Sequence, residues 1–240
     1  MRVLVFSDIH ANLAALEAVL QDAGAVEAYW FLGDLVGYGP DPNECVERIR
    51  TLPNLTAVLG NHDAAVIGAM PLGWFNRAAR RGVQWTREQL SPENLAFLSQ
   101  LPEIRQHDDV TLLHGSPRAP ITEYLLTSEE AADAFAVLPT DFCFVGHTHY
   151  PAWWQEEDGV VSDRAPRGGE VWTLTPRAIL NPGSVGQPRD GDPRAAYALY
   201  DTVAHTWEWR RVAYDILAVQ ARMAALGLSP VNAMRLAVGR

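Results

Sequence analysis

The sequence predicts an α/β protein built from layered sheets, and the order of its elements along the chain carries this prediction. From Arg2 to Val145, short apolar runs typical of buried strands alternate with segments of helical spacing. From Ala152 onward the segments are short and rich in β-forming residues, which indicates an antiparallel set of strands. No repeat, low-complexity tract or linker interrupts the sequence, so we expect a single domain over residues 1–240.

Apolar runs and capped helical spacings define the elements of the first half. The first strand, Arg2–Phe6, precedes a helix that Asn12 caps and that places Leu13, Leu16 and Leu20 on one face. The other strands predicted there are Tyr29–Leu32, Leu55–Leu59, Val110–Leu113 and Phe142–Val145. The other helices predicted there are Asn43–Leu52, Asn76–Gln89, Pro92–Leu98 and Thr127–Val137.

The second half predicts five further strands followed by two helices. The strands are Ala152–Trp154, Val171–Leu174, Ala178–Leu180, Ala196–Tyr200 and Thr206–Arg211. Between the first two of them, the polar and glycine-containing segment Gln155–Gly169 predicts an exposed hairpin tip or a mobile loop. Ile216–Leu226 has helical spacing, and Pro230–Val238 is expected to form a last short helix.

Composition and charge exclude several classes of function. The formal net charge of −10 repels polyanions, so we expect no general nucleic-acid binding. Cys45 and Cys143 lie far apart, which fits neither a disulfide framework nor a cysteine-rich zinc site. No apolar stretch approaches the ~18 residues of a membrane span, and Met1 leads directly into the first strand rather than into a secretory signal. We therefore expect a cytoplasmic protein without membrane association.

Polar side chains that can bind metals follow five of the predicted strands at the point where each strand ends. They are Asp8, His10, Asp34, Asn61, His62, His114, His147 and His149. Any one of them alone is more often a turn former, a helix cap or a satisfied histidine. However, five of the seven histidines lie at these strand ends, and sites of α/β sheets form at such ends. Because clustered carboxylates repel one another without a cation, we predict a metal site.

The ligand chemistry narrows the metals and their number. Nitrogen and oxygen donors without a thiolate suit Mn, Fe, Zn, Co or Ni better than Ca or Mg. Eight candidates are too many for one ion and about right for two ions with a shared carboxylate. Two ions held ~3.5–4 Å apart are typical of sites that catalyse displacement at phosphorus.

Five short motifs give the chain a resemblance to a known family. They are Asp8-x-His10, Gly33-Asp34, Gly60-Asn61-His62-Asp63, His114-Gly115 and Gly146-His147-Thr148-His149. Their order resembles that of the calcineurin-like metallophosphoesterase superfamily, in particular its bacterial single-domain branch of diadenosine polyphosphate hydrolases and phosphodiesterases. The resemblance implies a four-layer α-β-β-α sandwich of two mixed sheets flanked by helices.

The resemblance also implies a role for each residue of the motifs. Asp8, His10 and His149 would hold one metal ion, Asn61, His114 and His147 the other, and Asp34 would bridge the two. His62 and Asp34 would be catalytic, because a hydroxide bridging the metals attacks phosphorus in line while His62, as an imidazolium, protonates the leaving oxygen.

Three residues are candidates for substrate binding. Phosphoprotein phosphatases of the superfamily carry GDxVDRG where this chain has Gly37 and Tyr38, which disfavours a Ser/Thr phosphatase. Tyr38 either stacks on a nucleobase or is a packed loop aromatic. Arg118 and Arg189 follow predicted strands in turn-rich segments; each either contacts a phosphate or belongs to an ordinary turn.

Several functions remain open at this point. The favoured one is a phosphodiesterase or phosphoanhydride hydrolase acting on a small phosphorylated substrate, with nucleotide-derived compounds such as a dinucleoside polyphosphate among the candidates. The alternatives are a protein phosphatase, a catalytically silent scaffold and a nuclease; the complete ligand set argues against the scaffold and the charge against the nuclease. A homodimer is the default assembly, although no apolar seam identifies an interface.

Overall fold

The computed structural model describes residues 1–166 and 168–240, and it contains two six-stranded sheets with helices on their outer faces. The strands are β1 (Arg2–Phe6), β2 (Ala28–Phe31), β3 (Leu55–Ala57), β4 (Ile104–His107), β5 (Val110–Leu113), β6 (Phe142–Phe144), β7 (Ala152–Glu157), β8 (Val160–Arg164), β9 (Val171–Thr173), β10 (Ala178–Asn181), β11 (Ala195–Asp201) and β12 (Thr206–Val212). The α-helices are α1 (Leu13–Ala23), α2 (Pro42–Arg50), α3 (Asn61–Val66), α4 (Arg77–Gln89), α5 (Pro92–Ser99), α6 (Ser128–Phe135), α7 (Ile216–Ala225) and α8 (Pro230–Val238).

Both sheets are mixed, and each contains a parallel trio of strands. The first sheet has the order β3-β2-β1-β11-β12-β9, in which β3, β2 and β1 are parallel. The second has the order β4-β5-β6-β10-β7-β8, in which β5, β6 and β10 are parallel. Because all strands of a parallel trio end on the same side, each sheet presents several strand ends along one edge.

The core between the sheets is formed by alternate residues of the strands. Val3 and Val5 face this core, whereas Leu4 and Phe6, their neighbours in β1, face the helices. Aromatic rings fill much of the space: the Phe144 ring centroid lies 4.5 Å from that of Trp207. Tight packing of large rings between two sheets holds the strand ends in fixed positions relative to one another.

Helices cover both outer faces and complete four layers. On the first sheet, Leu16 and Val19 of α1 pack with Leu4 in the same cluster, together with residues of α2 to α5. On the second sheet, Phe135 of α6 packs with Cys143. The predicted α/β class and the α-β-β-α sandwich are therefore confirmed.

The predicted antiparallel set in the second half is wrong in part. The five segments are divided between the two sheets, and β10 pairs in parallel with β6. Its four residues are all buried, as in a central strand, but their short apolar run carries no information about direction. The polar segment Gln155–Gly169 contains β8, which forms a hairpin with β7, and residue 167 lies outside the described residues. None of the helices in residues 1–166 and 168–240 combines the length and the apolar composition that a membrane crossing requires.

The inter-sheet core predicts the cost of removing one ring. Phe144→Ala removes a fully buried side chain from between two sheets, so the free energy of unfolding should fall by about 3–5 kcal/mol in urea denaturation. The control is Val203→Ala, because Val203 is 80% exposed and its truncation should change stability by less than about 0.5 kcal/mol. Equal effects of the two substitutions would contradict the assignment of this core.

Candidate metal centre

The loops after five strands bring the predicted side chains together at one edge of the sandwich. β1, β2 and β3 end at this edge in the first sheet, and β5 and β6 end there in the second. Buried side chains within one cluster are Asp8, His10, Asp34, Asn61, His62, His114, His147 and His149. The predicted convergence is thus a feature of the structure.

Each aspartate has one oxygen fixed by the backbone and the other facing imidazoles. Asp34 Oδ1 accepts a hydrogen bond from the His62 amide at 2.8 Å, and its Oδ2 lies 3.6 Å from His10 Nε2 and 3.4 Å from His114 Nε2. Asp8 Oδ2 accepts from the His147 amide at 3.1 Å. Asp8 Oδ1 is buried, has no hydrogen-bond partner among residues 1–166 and 168–240, and lies 3.2 Å from His149 Nε2. The free oxygens are therefore aimed into the cluster.

Four histidines are oriented by backbone carbonyls. His10 Nδ1 lies 3.2 Å from the Val36 oxygen, and His114 Nδ1 lies 2.8 Å from the Leu32 oxygen. A carbonyl can only accept, so the ring nitrogen beside it carries the proton. The same holds for His149 Nδ1 with Gln187 O at 2.5 Å and for His147 Nε2 with Thr122 O at 3.2 Å. In the neutral ring the opposite nitrogen then keeps its lone pair, which is the state that ligates a metal.

These lone pairs face one another, which tests whether a cation fits. His10 Nε2 and His149 Nε2 are only 3.1 Å apart, although the hydrogen bonds at Nδ1 leave no proton for either Nε2 in the neutral rings. Two lone pairs at this separation repel, and the unpartnered Asp8 Oδ1 beside them adds negative charge. A cation bound between them converts repulsion into ligation, so the donor set fits a metal site.

The donors fall into overlapping groups. Three sets have ligand atoms within 4.8 Å of one another: Asp8 with His10 and His149, Asp34 with His10 and His62, and Asp34 with His114 and His147. Asn61 joins the last set through its Oδ1, which lies 3.2 Å from His114 Nε2. This grouping parallels the two predicted ligand sets with Asp34 between them. The individual ligand roles stay predictions.

His62 differs from the other four histidines of the cluster. Its Nδ1 is buried and has no hydrogen-bond partner within the described residues. A Cβ at Gly37 would lie 2.5 Å from this nitrogen, so the glycine occupies the place where a carboxylate partner would stand. The ring packs against Tyr38, His10 and Phe75, with centroids 4.5 to 4.9 Å away. His62 is therefore held by packing and not by a hydrogen bond to Nδ1.

Burial and charge shift the titration of the cluster. Burial lowers the pKa of His62 to about 4 and that of His147 to about 3. Burial also disfavours the charged form of His114, but Asp34 outweighs it and raises the pKa of His114 to about 9. Burial opposes ionisation of Asp34 as well, yet the positive charge of His114 lowers the pKa of Asp34. Without a cation, His114 is therefore the imidazole that keeps a proton as the counter-charge of Asp34.

The loops of the site are held in an unusual backbone conformation. Asp8, His10, Asp34, His147 and His149 all have φ between 49° and 67°, in the left-handed region. This region costs about 1–2 kcal/mol for a residue with a side chain. Because five such residues lie in one cluster, the surrounding structure must hold these loops in conformations that their own residues disfavour.

Asp63 is a functional residue that sequence reasoning missed, although it belongs to the quoted motif. It is fully buried, and its two oxygens accept hydrogen bonds from the amides of Leu35, Val36 and Gly60 at 3.1 to 3.2 Å. Burial and the nearby Asp34 raise its pKa to about 7. Asp63 thus ties the loop of Asp34 to the start of α3. Its position directly after His62 in the motif was the available signal.

The loop after β10 supports the other side of the cluster. Asn181 Nδ2 donates to the Gly146 carbonyl at 2.7 Å and to Thr148 Oγ1 at 3.0 Å. Ser184 Oγ donates to the Asp8 carbonyl at 2.9 Å. These contacts fix the loops of Asp8 and His147 from the second sheet, a role that the sequence did not reveal.

The three candidates for substrate binding have different surroundings in the structure. The Tyr38 ring lies 4.7 Å from His10 and 4.5 Å from His62, at the edge of the cluster. Arg189 also lies near the cluster: its charge helps burial to lower the pKa of His149, and its buried Nε has no hydrogen-bond partner within the described residues. Arg118 instead pairs with Glu123 and Asp133, which disfavours its predicted phosphate contact. Tyr124, not anticipated, stacks on His147 at 3.8 Å.

Comparison with known proteins decides the family. The family model of the calcineurin-like phosphoesterase superfamily domain matches residues 1–205. The chain belongs to this superfamily. A solved metallophosphoesterase from Sphaerobacter thermophilus is 49% identical, with a TM-score of 0.92, over 100% of this chain and 99% of that chain. An uncharacterised protein from Methanocaldococcus jannaschii is 39% identical over 99% of this chain and 98% of its own length.

More distant relatives have names that describe activities. Phosphodiesterase YfcE from Escherichia coli is 26% identical over 84% of this chain and 88% of its own length. A symmetrical bis(5'-nucleosyl)-tetraphosphatase from Vibrio vulnificus is 32% identical over 50% of this chain and 45% of its own length. The chain is a phosphoesterase of a metal-dependent family of hydrolases, and its clustered Asp and His side chains could hold metal ions.

The contacts of Asp63 predict an effect on metal binding. In Asp63→Asn an amide NH₂ replaces one carboxylate oxygen and faces a backbone N–H, so at least one of the three backbone bonds is lost. The loop of Asp34 should loosen, and affinity for Mn(II) should fall by about 10- to 100-fold in calorimetric titration.

Asp158→Asn is the matched control, since Asp158 lies exposed in the turn between β7 and β8. It should leave the affinity for Mn(II) unchanged. A thermal melt of each variant establishes that the protein titrated is folded. Unchanged affinity in Asp63→Asn would contradict its positioning role.

Proposed function

We propose that this phosphoesterase uses two metal ions to hydrolyse a phosphodiester or phosphoanhydride, with nucleotide-derived compounds such as dinucleoside polyphosphates among its substrates. The observation that carries the proposal is the position of Asp34 Oδ2, which lies 3.6 Å from His10 Nε2 and 3.4 Å from His114 Nε2. One carboxylate oxygen that faces a histidine from each group is the arrangement expected of a shared ligand.

The chain offers a complete donor set for each ion. Asp8, His10 and His149 would hold one ion and Asn61, His114 and His147 the other, with Asp34 common to both. Imidazole and carboxylate donors without a thiolate suit Mn, Fe or Zn. Ions bound there supply Lewis-acid stabilisation of the phosphate oxygens and lower the pKa of water, so that a nucleophile is available near neutral pH.

The side chains around the metal ligands would bind the phosphate of the substrate and protonate the leaving oxygen. Arg189 provides a guanidinium near the cluster, whose charge favours an anionic ester. His62 Nδ1 faces Gly37, which leaves Nε2 as the ring nitrogen available to a substrate. Burial keeps the free imidazole neutral, and a phosphate anion beside it would favour the protonated form. A proton on Nε2 could then pass to the leaving oxygen.

Two features of the site favour a small substrate over a phosphoprotein. The protein phosphatases of the superfamily have an Asp and an Arg where this chain has Gly37 and Tyr38. Here the glycine leaves His62 Nδ1 without a carboxylate, and the tyrosine ring packs on the imidazoles of His10 and His62. The names of the two more distant relatives, a phosphodiesterase and a tetraphosphatase, support the same choice.

Metal analysis combined with a substrate panel tests the proposal. Protein loaded with Mn(II) should contain two ions per chain by elemental analysis, and Asp34→Ala should weaken the binding of both, because Asp34 contacts both groups. The panel compares a phosphomonoester, a phosphodiester, a dinucleoside polyphosphate and a phosphopeptide. Turnover of the phosphodiester or the polyphosphate should exceed that of the phosphopeptide. A single bound ion, or a preference for the phosphopeptide, would contradict the proposal.

Removing His62 should lower kcat by roughly 10²–10⁴ without loss of metal. The loss should be larger for an alkoxide leaving group than for p-nitrophenolate, because only the more basic oxygen needs a proton as it departs. His107→Ala is the matched control, since His107 is exposed and stacks on Trp30 away from the cluster. An equal loss for both leaving groups would exclude proton donation by His62.

A further inference from the structure

A cavity of about 670 Å³ lies beside the metal centre, between α4 and the turn that joins α7 to α8. Its lining includes Arg77, Arg81 and Trp85 from α4, and Ser229 and Asn232 from the start of α8. Tyr38 also lines this cavity, and its ring packs on the rings of His10 and His62. Tyr38 therefore belongs both to the wall of the cavity and to the edge of the catalytic cluster.

The cavity is positively charged in a protein that carries a net charge of −10. Arg77 and Arg81 are exposed, and within residues 1–166 and 168–240 neither forms an ion pair or a side-chain hydrogen bond. They are one helical turn apart on α4, where like charges repel. Glu88 is the one carboxylate in the described lining, so the two arginines leave a net positive charge there. An anion between the arginines would remove their repulsion.

The opposite wall offers polar groups without partners. The nine-residue helix α8 begins at Pro230, and the side chain of its N-cap residue Ser229 makes no capping hydrogen bond. The first turn of a helix has free N–H groups and a partial positive charge, which favour anions. Asn232, in the same turn, is only 2% exposed, lines the cavity and makes no side-chain hydrogen bond within the described chain. A buried carboxamide without a partner points to a ligand.

The approach of α4 to Tyr38 sets the cavity beside the catalytic cluster. Gly82 lies inside α4, where glycine is disfavoured, and a Cβ there would lie 3.4 Å from the Tyr38 amide nitrogen. The absence of a side chain at Gly82 lets the helix pack closely on the Tyr38 backbone. Arg81 precedes Gly82 in the helix and Arg77 lies one turn before Arg81, so the backbone that carries both arginines is held next to Tyr38.

We propose that this cavity binds a second phosphate group of the substrate, adjacent to the phosphate that is hydrolysed. Arg77 and Arg81 contact it from one side and the first turn of α8 from the other, with Asn232 donating a hydrogen bond. The preferred substrate then carries at least two phosphates, as in a phosphoanhydride. This inference rests on the proposed function, and a free phosphate acting as an effector would use the same contacts.

Kinetics with two substrates test the inference. The double variant Arg77→Ala/Arg81→Ala should raise KM for diadenosine tetraphosphate by about 10- to 100-fold and leave KM for bis(p-nitrophenyl) phosphate unchanged, because the second compound has one phosphate. Arg87→Ala is the matched control, since Arg87 lies on the same helix outside this cavity and should change neither KM. Equal changes for both substrates, or none, would overturn the inference.

Binding of inorganic pyrophosphate to the Mn(II)-loaded protein separates this inference from the proposed function. The double variant should bind pyrophosphate about 10- to 100-fold more weakly than the wild type and should bind orthophosphate equally well. Both measurements report binding and do not require turnover. Failure of the wild type to hydrolyse either substrate would refute the proposed function, and the pyrophosphate result would still decide on the cavity. Equal weakening of orthophosphate binding would indicate an independent effector site and overturn the inference, as would unchanged pyrophosphate binding.

Discussion

The structure depends on the close approach of electron-rich atoms from two sheets. Asp34 Oδ2 faces imidazole nitrogens on both sides, and the Nε2 atoms of His10 and His149 are 3.1 Å apart. Such an arrangement is unfavourable without a cation, and two six-stranded sheets with a packed aromatic core hold it in place. Part of the free energy of folding therefore holds the donors in a geometry that a bound metal ion would stabilise.

The backbones of the metal-binding loops are also crowded together, because the donors converge from two sheets. A Cβ at Gly60 would collide with the Asp34 backbone and carboxylate, and one at Gly146 would collide with Ser7. These glycines let the metal-binding loops of neighbouring strands touch, while the left-handed conformations of Asp8 and Asp34 turn their side chains into the gap. The loops are therefore specified by one another rather than by their own sequences.

The sequence predicted the α/β class, the convergence of five strand ends and the cluster itself, because strand runs and polar strand exits are local signals. It did not predict the parallel pairing of β10 with β6, since an apolar run has no direction. It also missed Asp63 and Asn181, whose contacts join loops that are distant along the chain. For Arg118 it left a phosphate contact and an ordinary turn both open, because the pairing with Glu123 and Asp133 depends on tertiary structure.

The four carbonyl groups that orient the histidines have a consequence for how the protein tolerates sequence change. Every residue type carries the same backbone oxygen, so the ring protons of His10, His114, His147 and His149 are fixed by atoms that substitutions at Val36, Leu32, Thr122 or Gln187 do not delete. Substitutions at these four positions can therefore change the side chains around the metal centre while each imidazole keeps its tautomer. Only a shift in the path of the chain would release the rings.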